Sequence, residues 1–250
     1  MVNIVYRKNG LIPIRHVWFD NEGLESSACI TFYHGVSRPF ATSVRKRKKV
    51  EKQYSLQIDL TLNAEAILEQ MRKNVRYEIR RSNKEAIIIK HFTSKEIPQE
   101  LLNRFEVTYN EMYRDKCLAV KYNCRLVEAY MQDNCIEFSV GFAQGTPIVF
   151  HSYIVDTSTA RFFYSTSPLR KKGVDSSLVS RVNRYQHWSD ICYFKQLGYK
   201  IYDFGGISNP QKPNGIDNFK LGFGGNIVEY YNLVVYSGLF GAMYSLIENI

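Results

Sequence analysis

The sequence lacks most of the features that would take it out of the class of ordinary globular proteins. It has no run of about 18 uncharged apolar residues, so nothing in it reads as a transmembrane helix. Its opening stretch, MVNIVYRKNGLIPIRHVWFD, has no apolar core of the length a secretory leader needs. From these two absences a cytoplasmic location is expected. Cysteine is sparse, at positions 29, 117, 124, 135 and 192, with no CxxC pair and no histidine at zinc-like spacing from one. These cysteines read as small buried hydrophobes in a reducing compartment, and no metal site is expected. There is no internal repeat and no low-complexity linker. GxSxG, GxxxxGK[ST] and HExxH are all missing, which removes the usual signatures of serine hydrolases, P-loop NTPases and zinc peptidases. The five histidines are well separated along the chain.

What remains is 250 residues, 45% hydrophobic and 23% charged, enough for one large domain or two small ones. The net charge of +9 favours anionic partners: nucleic acid, phosphorylated substrates, or peripheral contact with an acidic membrane face. The densest charge run, Arg45-Lys46-Arg47-Lys48-Lys49, reads first as a solvated loop and second as a phosphate or membrane contact.

Periodicity gives the organisation. Tyr54 to Leu60 alternates as a strand, and Ile67, Leu68, Met71, Val75 and Ile79 recur at helical spacing behind a cap at Asn63. Ala86 to Ile89 reads as a buried strand, Pro98 opens a helix running to about Tyr113, and a shorter helix covers Cys124 to Met131. Three strands joined by tight turns follow, Ile136 to Ala143, Pro147 to Val155 and Arg161 to Ser165. A long helix spans about Asp175 to Leu197 and stops at Gly198. Tyr199 to Phe204 and Asn226 to Val235 read as strands separated by a loop, and Leu239 to Ile247 as a short amphipathic segment. The pattern predicts an α/β or α+β domain with a mixed sheet over residues 61–250, to which strands in 1–60 are added.

Three segments carry chemistry. Arg72, Arg76 and Arg80 would form a cationic stripe along one helix, with an anion or plain solvent opposite it. Ser167 to Asp175, with Arg170 and Gly173, places a basic glycine loop before a helix N-terminus, a natural phosphate cradle, with Asp175 as the helix N-cap. Tyr202-Asp203-Phe204-Gly205-Gly206-Ile207, followed by Gly215 to Gly225, gathers glycines and aromatics around a single Lys220. Glycines let backbone approach a ligand closely, and an ammonium in apolar surroundings needs a carbonyl, carboxylate or phosphate partner.

Taken in order, R-x-x-I-R-R-S-x-K, the basic loop, Y-D-F-G-G and G-I-x-x-F-K-x-G-F-G-G resemble the FemABX family and its GNAT-type relatives over roughly Leu60 to Val235. The resemblance implies a GNAT-like acyl-CoA N-acyltransferase fold with extra N-terminal strands. It also implies transfer of an acyl or aminoacyl group to an amine of a cell-envelope precursor, a peptidoglycan peptide or amino sugar. The donor would be aminoacyl-tRNA or acyl-CoA, with no permanently bound cofactor. The family's F-K lysine lies at the reaction centre, which puts Phe219 and Lys220 there. On this reading Lys220 polarises the donor carbonyl, and Asp203 orients or deprotonates the amine or else merely satisfies turn N–H groups. Tyr164 and Tyr202 stack on or donate to substrate or else belong to the core. Gly205 and Gly206 sit beside the donor, and Arg76, Arg80, Arg170 and Gly173 hold its phosphates. A non-catalytic scaffold of the same fold and a basic RNA-binding module are the competing readings.

Overall fold

The computed structural model describes residues 1–8, 10–20, 28–39, 47–168, 173–238, 241 and 243. Arg170, Arg45, Lys46 and most of the expected C-terminal amphipathic segment lie outside them. The chain divides into two compact units: one made of residues 1–55, 206–212 and those from 227 onward, the other of residues 56–205 and 213–226. The expected division near residue 60 thus becomes a unit that also gathers later parts of the chain.

In the first unit β1 (Val2–Lys8) pairs antiparallel with β2 (Ile12–Trp18), and β2 runs parallel to β3 (Ile30–Val36). Further along the chain are β4 (Arg47–Asp59), α1 (Ala64–Gln70), α2 (Lys73–Ser82), β5 (Ile87–Thr93), α3 (Gln99–Asp115) and α4 (Cys124–Gln132). They are followed by β6 (Ile136–Ala143), β7 (Thr146–Val155), β8 (Thr159–Thr166), α5 (Ser176–Gln196), β9 (Ile201–Ile207), α6 (Gly215–Leu221) and β10 (Asn226–Tyr236). β10 closes the first unit by pairing antiparallel with β3. β4 supplies the first unit with its residues up to Ser55, and Lys48 and Lys49 are exposed within it.

The second unit is built on β5, β6, β7 and β8, consecutive antiparallel neighbours, with β9 parallel to β8. A parallel partner to β8 needs a crossover, and α5 is that crossover. Asp175 caps it by accepting from the Ser177 and Leu178 N–H groups at 2.8 and 3.1 Å. At the other end Gly198, at φ +87°, lets the Tyr199 N–H reach back to the Phe194 carbonyl, a Schellman-type stop. The buried face of α5 is Val179, Val182, Gln186, His187, Asp190, Ile191 and Phe194. Its apolar members pack into the sheet, where Val179 and Val182 join Ile87, Ala143 and Val149 in one cluster. Gly141 of β6 lets the helix come this close, since a Cβ there would lie 2.5 Å from Gln186 Oε1 and 2.7 Å from Val182 Cγ1.

Two expectations are corrected. The single helix predicted from Asn63 to Ile79 breaks at Met71–Arg72, both extended, because the Arg72 N–H donates to the Gly222 carbonyl at 2.8 Å. Arg72 is therefore the N-cap of α2, and of the three arginines of the expected stripe Arg76 and Arg80 lie within that helix. The segment expected as a loop between the last two strands contains α6. It starts with a capping box in which Asn214 accepts from the Ile216 and Asp217 N–H groups while Asp217 accepts from the Asn214 N–H.

Candidate active site

The second unit contains a cleft of about 750 Å³. One wall is α3, with Arg104, Glu111 and Tyr113, and the segment after it, with Lys116. The floor comes from Ile148 and Phe150 of β7 and Phe162 of β8, and the opposite wall from Asn183, Arg184 and His187 of α5. Phe219 and Lys220 of α6 complete it. The lining is largely apolar and carries Arg104, Lys116, Arg184 and Lys220 against Glu111 and Asp115, so anionic groups are favoured. A pocket of this size with a few convergent polar groups is the ordinary form of a small-molecule site.

Lys220 sits in the last turn of α6, where the carbonyl end of a helix favours a cation. Burial brings its ammonium down to about 8, helped by Arg161 and opposed by Asp203 and Asp217. Phe219 beside it packs 5.7 Å from the His187 ring and carries the Arg184 guanidinium 5.3 Å above its face. The expected neighbour of Lys220, Asp203, is buried on β9 and fully engaged. Its Oδ2 takes a 2.7 Å ion pair from Arg161 and a 3.1 Å hydrogen bond from Gln57, and its Oδ1 accepts the Gly205 N–H at 2.7 Å. The Gly205 N–H is thus a turn contact of Asp203, and Arg161 and Gln57 are two further partners.

The other named residues fall in different places. Tyr202 is fully buried behind the cleft wall, hydrogen-bonded to Tyr153 and His187. Tyr164 lies in an aromatic cluster with Tyr109, Tyr122 and Phe163. Gly205 has φ +73° and faces the Phe162 carbonyl, while Gly206 is exposed. Gly224 and Gly225 are needed for close approach to the protein's own backbone, at the Gln70 and Gln57 carbonyls, rather than to an open surface. Arg76 donates to the Glu69 carbonyl, and Arg80 is exposed; neither lines the cleft. Gly173, at φ +84°, precedes the α5 N-terminus. Beside the cleft, a smaller basic pocket of about 320 Å³ is lined by Arg81, Arg181, Arg184 and the first serines of α5. Asp175 already holds two of the first N–H groups of that helix, and Glu85 pairs with Arg81 and Arg181 at 3.2 and 3.0 Å.

Sequence reasoning missed the histidines. His91, His151 and His187 converge on or near Asp190, although 96 residues of chain separate the first and last of them. Asp190 accepts from His151 Nδ1 and His91 Nε2 at 2.9 Å each and from the Tyr153 hydroxyl at 2.5 Å. Burial alone would raise this carboxyl, but the hydrogen bonds from His151 and His91 outweigh it and hold it well below the usual range. His151, His187 and Asp190 present ligand-type atoms within 4.8 Å of one another, close enough to share a metal ion. Three of the four ring nitrogens already have an oxygen partner: Asp190 for His151 Nδ1, Asn183 for His151 Nε2, and Tyr202 for His187 Nδ1. The one available signal was on α5, where a buried stripe carries His and Asp three residues apart.

No protein-family model matches the chain, and no curated protein matches it at a significant level. Solved structures do. The crystal structure of FemX superposes with a TM-score of 0.66 at 11% identity, covering 98% of this chain and 86% of FemX's. The chain has the fold of FemX. The structure of L-PGS from Bacillus licheniformis matches with a TM-score of 0.55 at 13% identity, over 94% of this chain and 82% of that one. A conserved protein of unknown function from Bacteroides thetaiotaomicron matches at 0.53 with 12% identity, over 78% and 64% of the two chains. The mixed α/β architecture expected from periodicity and the FemABX-like fold expected from the resemblance are both observed. Among the described residues no helix is long and apolar enough to cross a membrane.

Proposed function

We propose that this chain is an N-acyltransferase that moves an acyl or aminoacyl group from an activated ester or thioester to an amine. The observation that carries the reading is Lys220, half-buried in the lining of the cleft next to Phe219, in a chain with the FemX fold. The amine attacks the donor carbonyl, a carbon–nitrogen bond forms, and negative charge builds on the carbonyl oxygen. A pre-positioned ammonium in a water-poor site stabilises that charge without reorganisation at the moment of reaction. Asp203, fixed by Arg161 and Gln57, holds the field around Lys220 in place rather than taking a proton itself. The cations in the cleft lining suit the phosphates of a coenzyme A thioester or of an aminoacyl-tRNA. The fold shared with FemX and L-PGS makes an aminoacyl donor and an envelope-precursor acceptor, peptidoglycan peptide or amino sugar, the first pair to test.

The test is ligand-induced thermal stabilisation with acetyl-CoA, free CoA, charged tRNA and uncharged tRNA, followed by transfer assays with the donor that binds. A ligand at ~100 times its dissociation constant adds ~2.7 kcal/mol of stability. Lys220→Ala is expected to lower the transfer rate ~100- to 1,000-fold with the fold intact by circular dichroism. In the wild type, transfer is expected to fall as pH rises through about 8, because the ammonium is lost there. Wild-type transfer by Lys220→Ala, or no stabilisation by any of the four ligands, would sink the reading.

A further inference from the structure

The acyl-transfer reading leaves one wall of the cleft unused, the imidazole of His187. Its Nδ1 lies 2.6 Å from the Tyr202 hydroxyl, which lies 2.8 Å from the Tyr153 hydroxyl, which donates to Asp190 Oδ2 at 2.5 Å. All four side chains are buried. The direction of this chain follows link by link. An ionised carboxylate only accepts, so Tyr153 gives its hydrogen to Asp190. The Tyr153 oxygen is left with lone pairs for Tyr202, so Tyr202 donates to Tyr153. The Tyr202 oxygen then accepts, and the hydrogen between it and His187 sits on Nδ1. Neither phenol ionises, because burial and the nearby Asp190 charge raise both well above the usual tyrosine range. One tautomer of His187 is therefore fixed, with Nε2 left as a basic lone pair. Among the described residues Nε2 has no hydrogen-bond partner, and the ring forms part of the cleft wall opposite the α3 side.

We propose that His187 Nε2 takes the proton from the attacking amine, and that Tyr202, Tyr153 and Asp190 are positioning residues that fix its tautomer and stabilise its charged form. This rests on the acyl-transfer reading above. As the nitrogen–carbon bond forms, the carbonyl π pair moves onto oxygen beside Lys220 and the amine proton passes to Nε2. As the tetrahedral centre collapses, the carbon–oxygen or carbon–sulfur bond breaks, and the imidazolium returns the proton to the leaving oxygen or sulfur. Protons and electron pairs balance, and no outside reactant is needed. The electrostatics agree with the role. Burial, then His151 and Lys220, keep His187 neutral and ready to accept, while the charge of Asp190 pulls the other way. A base reaching its carboxylate through two hydroxyls is a longer version of the His–Asp arrangement in which the acid orients the ring without being protonated itself.

Two measurements decide it. Imidazole ¹⁵N–¹H correlation spectra of the wild type should show His187 with a protonated Nδ1 and a pyridine-type Nε2. Transfer assays should show His187→Gln slower by ~100-fold or more in kcat, with donor-induced thermal stabilisation retained. Tyr202→Phe, close in shape, should lose ~10-fold in kcat at little change in KM and should scramble the tautomer signal. An Nε2-protonated wild type, or His187→Gln within about threefold of wild type under conditions where Lys220→Ala is inactive, overturns the assignment. Absence of transfer by the wild type with every donor would count against the acyl-transfer reading instead, and the tautomer spectrum would still decide the wiring of His187.

Discussion

Each compact unit holds a buried histidine among aromatic rings, and the two are wired in opposite ways. In the first unit His16 Nδ1 lies 2.9 Å from His34 Nε2, with Phe32 stacked at 5.0 Å from His16 and Trp18 at 4.2 Å from His34. In the second, His187 is surrounded by Phe162, Phe204, Phe219 and Phe223 but reaches an ionised carboxylate through two hydroxyls. Both rings lose affinity for protons chiefly through burial. In the second, the hydrogen-bonded chain behind the ring ends on an anion set to stabilise the charge it would gain. Burial among rings makes a histidine neutral, whereas an oriented acceptor chain behind it makes a neutral histidine useful as a base.

The largest expected effect comes from removing the anion at the end of the His187 chain. Asp190→Asn would place an amide where three donors, from His151, His91 and Tyr153, now converge on a carboxylate. Breaking a buried charged network by taking out one member costs ~3–5 kcal/mol. Urea unfolding of the variant should show a loss in that range. A loss below ~1 kcal/mol would mean that the network contributes little to the fold and would weaken the contrast with His16.

The contrast was not visible in the sequence, for a physical reason. Strands such as Ile136–Ala143 and helices such as α3 and α4 were legible because alternating or helical burial leaves a matching pattern of apolar residues. Asp175 as the N-cap of α5 was legible because capping depends on the residue type at one position. The break at Met71–Arg72 was not, since it is set by a hydrogen bond from the Arg72 N–H to the carbonyl of Gly222, about 150 residues later in the chain. Helix α6 is only seven residues long and lies among glycines, so periodicity had too few turns to register it. At the candidate site, Lys220 stood out as the single cation in an apolar, glycine-rich stretch. His187 and Asp190 did not, because a buried polar stripe on a helix looks like a solvated face until the strands beneath it are known.

The next effect tests the first unit. Burial lowers the His16 ring from 6.5 to about 4. The unfolded chain therefore binds a proton between those values that the folded one refuses. Stability contributed by the neutral ring is fully present above pH 6.5 and is lost as pH falls towards 4, by about 3 kcal/mol for the single group. His16→Phe removes the titration while keeping an aromatic ring in the stack. Comparison of urea midpoints at pH 7 and pH 4 should show a shallower acid loss for the variant. Equal losses in the two proteins would mean that His16 is not the residue through which acid acts on this unit.

The smallest effect should have the opposite sign to that of Asp190→Asn, and it lies one turn away on the same helix. Gln186 is as buried as Asp190, and its Nε2 donates to Ser139 Oγ at 2.8 Å, but its Oε1 has no partner among the described residues. It is a buried polar group outside the carboxylate network. Replacing both partners of an isolated buried hydrogen bond with apolar groups of similar shape is nearly neutral and can stabilise, because the desolvation cost goes with them. Gln186→Met combined with Ser139→Ala is therefore expected to change unfolding stability by less than ~1 kcal/mol, with a gain as the favoured direction. Met is flexible enough to clear the narrow approach at Gly141, where the Gln186 amide already sits. Should the double variant instead lose as much as Asp190→Asn, burial itself and not connection to the anion would decide which polar groups on α5 matter. The distinction drawn between His187 and His16 would then lose its structural basis.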